Sequence, residues 1–269
     1  MKALTQKSFW IAIGVSLAFI GLILLSIVPQ AFSHPFSALE AHEKFIYPIV
    51  RVTYGNAGGS GTVIYSQNGE TYVLTNNHVI CGAVRIVEEW SSEKQEDVKV
   101  EKRSVVYVEI FKYRNVSTPV GTMKVEADIT AYNEDEDMAI LKLRFEEPVQ
   151  HVANLFPQAE TDNIHVTDET IAVGCSLGAP PLPTVGILTR KNFLINSLSF
   201  HMSSAQIIYG NSGGGMFYGK TGEFIGVPSL VPVVGWGTPI THMGLFIPID
   251  RIYQWFEKVG YKDLIPKSE

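Results

Sequence analysis

At 269 residues, with 46% hydrophobic residues and a net charge of −6, the chain has length for one domain or two small ones around a sizeable core. It carries no basic patch of the size that nucleic-acid binding needs, which sets that class aside; the dense mixed-charge run at residues 93–103 reads as a solvated loop or exposed hairpin. Two cysteines, Cys81 and Cys175, are too few for a disulfide framework and read as buried free thiols.

Residues 9–28 form a largely apolar run without charge, long enough to cross a bilayer as a helix. Lys2 and Lys7 precede it and no Lys or Arg follows until Lys44, so the positive-inside bias leaves the N-terminus in the cytoplasm. The expectation is a signal anchor over residues 1–30, a linker over 31–44 and a main domain over 45–269. A signal peptide cleaved at Ala31-Phe32-Ser33 is the alternative. Both place the main domain outside the cytoplasm.

After a helical turn at 39–45, strands are expected at 49–54, 62–65 and 71–75, with a glycine-rich turn at 56–61. Asn68-Gly69 signals a tight hairpin between the second and third strands. Further strands are expected at 84–90, 98–100, 104–113 and 120–132; Val106, Val108 and Ile110 repeat with the period of two that a half-buried sheet requires. Residues 146–162, with two prolines, look like a crossing between halves. Short strands at 170–174, 183–189, 192–202, 205–208, 222–227 and 244–249 then suggest a second closed barrel. A final helix runs to about 259, with Ile252, Trp255 and Phe256 at helical spacing for docking.

Three stretches carry chemistry. In Gly210-Asn211-Ser212-Gly213-Gly214 a serine is bracketed by glycines, each costly to order, which suits a backbone of unusual φ/ψ around an exposed nucleophile. Leu74-Thr75-Asn76-Asn77-His78-Val79 is an apolar strand leaving into a polar turn with a histidine. Asp135-Glu136-Asp137-Met138-Ala139-Ile140 is an acidic turn entering an apolar strand. The turn invites a calcium-loop reading, but EF-hand spacing and glycine are missing, so no metal is expected. His, Asp and Ser in this order are the parts of a nucleophile activated by a general base.

These segments, with Gly59-Ser60-Gly61-Thr62-Val63-Ile64, Val173-Gly174, Gly186-Ile187-Leu188 and Gly244-Leu245-Phe246-Ile247-Pro248-Ile249, resemble the trypsin/chymotrypsin-like serine peptidases. The likeness spans roughly residues 45–255 and is greatest to the bacterial high-temperature-requirement (Do-type) branch, without its PDZ domain and with Cys175-Ser176 where that branch usually has Asn-Pro. The resemblance implies Ser212 as nucleophile, His78 as base, Asp137 as the residue orienting it, and an oxyanion hole from the N–H groups of Gly210 and Ser212. The fold expected is mostly β: two six-stranded antiparallel β-barrels, at about 45–148 and 163–250, with an N-terminal transmembrane helix and a C-terminal helix.

In such peptidases the base of the S1 pocket lies a few residues before the serine. Residues 202–211 contain no acid, while Ile207 and Ile208 are branched and apolar, so a small to medium aliphatic P1 residue is expected, with pocket depth set by loops around Ser229. The partners are polypeptide substrates and, through the N-terminal helix, the membrane; no cofactor is needed. A catalytically silent barrel used as a binding or chaperone module is the alternative, and a non-peptide esterase a third reading.

Overall fold

Strands that bury both faces organise this molecule. The structure, a computed structural model, describes residues 35–266, and the expected anchor at 9–28 lies outside the described residues. From Phe36 onward the chain forms one compact unit. Among the described residues no helix is long and apolar enough to cross a membrane.

Behind a short helix, Ala38–Ala41, closed by a Ser37/Glu40 capping box, the chain enters strand β1, Ile49–Tyr54. It continues through β2 (Ala57–Gln67), β3 (Glu70–Thr75), β4 (Val84–Ser91), β5 (Glu96–Arg103), β6 (Val106–Arg114), β7 (Thr118–Asn133) and β8 (Met138–Leu143). Strands β1-β2-β3-β8-β7-β6 close into an antiparallel barrel, and β4 and β5 pair apart from it as a separate hairpin. Beyond the crossing come β9 (Glu169–Gly174), β10 (Leu182–Ile195), β11 (Leu198–Ser203), β12 (Gly215–Tyr218), β13 (Phe224–Leu230), β14 (Val233–Val234), β15 (Thr238–Pro239) and β16 (Gly244–Pro248). The sheet β10-β11-β16-β13-β12-β9 is likewise closed, and the helix Ile249–Val259 follows it.

Side-chain alternation assigns each face of β8 to a different core. Ala139, Leu141 and Leu143 point into the first barrel with Val50, Val52, Val73 and Val106. Met138 and Ile140 pack outward with Ile49 and Leu74 against a cluster that includes Phe217, Phe246 and Trp255. A strand buried on both sides cannot slip by one residue without exchanging its two apolar sets. The register is therefore firmly specified. Thr75 pairs with Ala139, so the chain leaving β3 and the chain entering β8 run side by side. In the second sheet Gly215 pairs with Val173, which sets the segment before β12 against the end of β9.

Three local expectations are corrected. Residues 57–61 are the start of β2 rather than a turn: Gly61 pairs with Val50, and a Cβ there would lie 2.5 Å from the Val73 side chain, so glycine lets two strands and a core valine meet. The strand expected at 192–202 is a hairpin, turning at Asn196 and Ser197, both at positive φ; β10 runs unbroken through 190–191 with register shifts instead of a turn. Residues 205–208 are not a strand, although Ile207 N–H donates to Thr241 C=O at 2.9 Å.

Candidate active site

The apolar strand β3 stops at Thr75, and the polar pair Asn76 and Asn77 turns the chain into a short helical turn, Asn77–Ile80. Val79 and Ile80 are buried in the first barrel's core and hold the turn by one side, leaving the His78 side chain 47% exposed on the other. Asn76 uses its side chain elsewhere: its Nδ2 donates to the Asp137 carbonyl at 2.8 Å.

Asp137 ends the turn between β7 and β8. Asn133 Oδ1 accepts from Glu136 N–H at 2.7 Å, Asp137 N–H donates to Glu134 C=O at 3.2 Å, and Asp137 takes a φ of +53°, a region that Asp tolerates better than most residues. Its carboxylate faces three donors. His78 Nδ1 lies 2.9 Å from both oxygens, His78 N–H donates to Oδ1 at 3.0 Å, and Ser229 Oγ donates to Oδ2 at 2.7 Å. With the Asp137 side chain only 20% exposed, these contacts replace much of the water the carboxylate gives up.

Ser212 sits in the glycine segment before β12. Gly213 adopts φ +84°, and a Cβ on it would stand 2.1 Å from the Ser60 carbonyl oxygen, so only glycine allows the close approach. Ser60 N–H donates to Ser212 C=O at 2.8 Å, and Ser60 Oγ accepts from Cys175 N–H at 2.7 Å while donating to Gly210 C=O at 2.6 Å. Ser176 Oγ donates to the buried Asn211 Oδ1 at 2.6 Å.

One step earlier, Leu177 N–H donates to Tyr209 C=O at 2.8 Å. The peptide unit is planar and trans, so tying the Tyr209 carbonyl toward Leu177 turns the Gly210 N–H the opposite way. Among the described residues neither Gly210 N–H nor Ser212 N–H has a protein acceptor. The Ser212 hydroxyl likewise has no hydrogen-bond partner among them.

His78, Asp137, Ser212, Ser229, Ile207 and Ile208 all line one open cleft of about 680 Å³. Every candidate site residue named from the sequence is thus on this cleft or, for Gly210, two residues from Ser212. Ser229, expected only as a residue near the S1 pocket, also bonds Asp137, and Ser60, present in a quoted motif but given no role, braces the Gly210 carbonyl. The cysteines are both free, and Cys81 is exposed rather than buried, because its short 3-10 turn follows His78 at the surface. Burial pushes the Cys175 thiol up to about 12. Among the described residues no group of His, Cys, Asp and Glu side chains is arranged to hold a metal.

Residues 59–227 match the family of the trypsin-like peptidase domain. The chain belongs to that family. Among curated proteins it is similar to the serine protease Do-like HtrA of Lactococcus lactis subsp. lactis (strain IL1403), 26% identical over 214 residues covering 75% of this chain and 44% of that protein. It is also similar to the periplasmic pH-dependent serine endoprotease DegQ of Escherichia coli (strain K12), 27% identical over 194 residues, 71% of this chain and 34% of that one. The chain thus spans less than half the length of these relatives of its trypsin-like domain. Among solved structures the HtrA-type protease AlgW with tripeptide shares the fold, with a TM-score of 0.61 at 19% identity over 85% of this chain and 64% of that one.

Proposed function

We propose that this trypsin-like domain is a serine endopeptidase, held on the outer side of a membrane by residues 1–30 and acting on polypeptides through Ser212, His78 and Asp137. The observation that carries the reading is the His78–Asp137 pair, Nδ1 to carboxylate at 2.9 Å, opening on the same cleft as Ser212. With Nδ1–H committed to Asp137, the imidazole presents Nε2 as a base. Ser212 Oγ attacks the scissile carbonyl carbon as its proton passes to Nε2, and the oxyanion that forms takes hydrogen bonds from Gly210 and Ser212 N–H. The tetrahedral intermediate collapses, the C–N bond breaks, and His78 returns the proton to the leaving amine. Water, deprotonated by His78, then hydrolyses the acyl-enzyme.

No step calls for a cofactor. The relative named as a periplasmic endoprotease supports an extracytoplasmic location. One observation favours the second reading, a catalytically silent barrel that binds polypeptides: the Ser212 hydroxyl has no partner among the described residues. Catalytic hydrogen bonds are often long in unliganded sites and tighten when substrate binds, so the endopeptidase remains the reading adopted.

For the S1 pocket we propose a wall of Ile207 and Ile208. Ile207 is 2% exposed and fills the space over Gly244, where a Cβ would meet its Cδ1 at 2.3 Å. A cationic P1 side chain would lose hydration there without a counter-charge. Small to medium aliphatic residues such as Val, Ala or Leu fit the wall, with a broad preference, because one methylene is worth only about 1–3 kcal/mol.

A fluorophosphonate probe should label the protein at Ser212, and Ser212→Ala should lower kcat by about 10⁴-fold or more while leaving the fold intact. Near wild-type proteolysis by Ser212→Ala would overturn the triad, and a folded wild type that resists the probe would favour the silent barrel. Peptide-library cleavage reads P1 directly; a dominant preference for Arg or Lys would show that an acid such as Glu134 or Asp135, which border the same cleft, reaches the pocket. Retention in the membrane fraction after carbonate washing tests the anchor, and recovery of a soluble chain starting near His34 would contradict it.

A further inference from the structure

Arg251 stands in the first turn of the C-terminal helix and is 7% exposed. Its guanidinium reaches across to the turn that carries Asp137. Nε and Nη2 donate to Glu136 Oε2 at 3.1 and 2.8 Å, Nη2 also donates to the Glu136 carbonyl at 3.0 Å, and Nη1 donates to Ser199 C=O at 3.0 Å. The group also lies over the Phe200 ring, 4.8 Å from its centroid. Lys258, further along the helix, adds a longer contact to Glu136 Oε1 at 3.5 Å. Arg251 thus joins the acidic turn of the first barrel to β11 of the second.

The bond to the Glu136 carbonyl matters most for geometry. That carbonyl belongs to the peptide plane preceding Asp137, whose N–H is held by Glu134 C=O. The carbonyl of Asp137 itself is held by Asn76 Nδ2. Both peptide planes flanking the Asp137 Cα are therefore tied down, which fixes the +53° torsion that aims its carboxylate at His78. A lysine in place of Arg251 could not reproduce this, since an ammonium lacks the planar fork that reaches carboxylate, carbonyl and a second carbonyl together.

We propose that Arg251 is a positioning residue for the His78–Asp137 pair: through the Glu136 carboxylate and carbonyl it locks the turn that aims Asp137. This rests on the triad reading above, and the experiment separates the two. Arg251→Gln, Arg251→Lys and the double variant Glu136→Gln/Arg251→Gln are purified as the full chain and compared for kcat, KM, melting temperature and the low-field proton NMR signal of His78 Nδ1–H. A misplaced triad of this kind costs about 10- to 100-fold, so both single variants should lose that much in kcat and equally in kcat/KM, with KM little changed.

The double variant leaves no unpaired buried charge. It should melt near the wild type yet keep the kcat deficit, which a purely structural ion pair would not produce. The Nδ1–H signal should be present in the wild type and shifted or lost in Arg251→Gln, a readout that holds even if the wild type turns over no substrate and the endopeptidase reading fails. An unchanged Nδ1–H signal in Arg251→Gln, or full recovery of kcat in the double variant, would overturn the proposal.

Discussion

The Asp137 carboxylate is the contact on which the rest of the site depends. It receives His78 from the first sheet and Ser229 from the second, so the acid ties the two halves of the cleft together while orienting the imidazole. A partly buried carboxylate needs such donors to offset lost hydration. Its position follows from strand register: pairing Thr75 with Ala139 places the exit from β3 beside the entry to β8, and both strands are fixed by apolar side chains on two faces. The site is thus a consequence of core packing rather than an addition to it.

The Ser212 segment is held by a different device. Ser212 lies in a segment braced by hydrogen bonds from Ser60, Ser176 and Leu177, with Ser60 Oγ itself held by Cys175 N–H, rather than by apolar packing of its own. Gly213 supplies the close approach to Ser60 that makes the brace possible, and ties from Leu177 N–H to the Tyr209 carbonyl and from Gly214 N–H to the Asn211 carbonyl hold the two peptide planes whose N–H groups, Gly210 and Ser212, have no protein acceptor among the described residues. Backbone donors held in place before substrate arrives stabilise a developing oxyanion without reorganising at the moment of reaction. Two kinds of rigidity therefore meet in one cleft, a hydrophobic one under His78 and Asp137 and a polar one around Ser212.

What was legible in the sequence were features with local signatures. The hairpin at Asn68-Gly69, the helix from Ile249, the glycine-bracketed serine, and the histidine and aspartate at strand ends each announce themselves within a few residues. Glycine misled where its purpose is long-range: Gly59 and Gly61 read as turn formers, yet they sit within β2 because Val79, Val73 and Val52 need the space. Residues 205–208 read as a strand because Ile207 and Ile208 are branched, but their backbone makes isolated bonds in place of a ladder, Ile207 N–H to Thr241 C=O and Asn211 N–H to Ile208 C=O. Contacts between distant residues left no trace at all; nothing in a linear reading joins Glu136 to Arg251 or Leu177 N–H to Tyr209 C=O.

The most direct measurement is a crystal structure of the full chain after reaction with a peptidyl phosphonate. The account predicts a bond from Ser212 Oγ to phosphorus, the phosphonyl oxygen about 3 Å from both Gly210 and Ser212 nitrogens, and His78 still paired with Asp137. An adduct at another residue, or one whose oxygen faces away from a reversed Tyr209–Gly210 peptide, would contradict it.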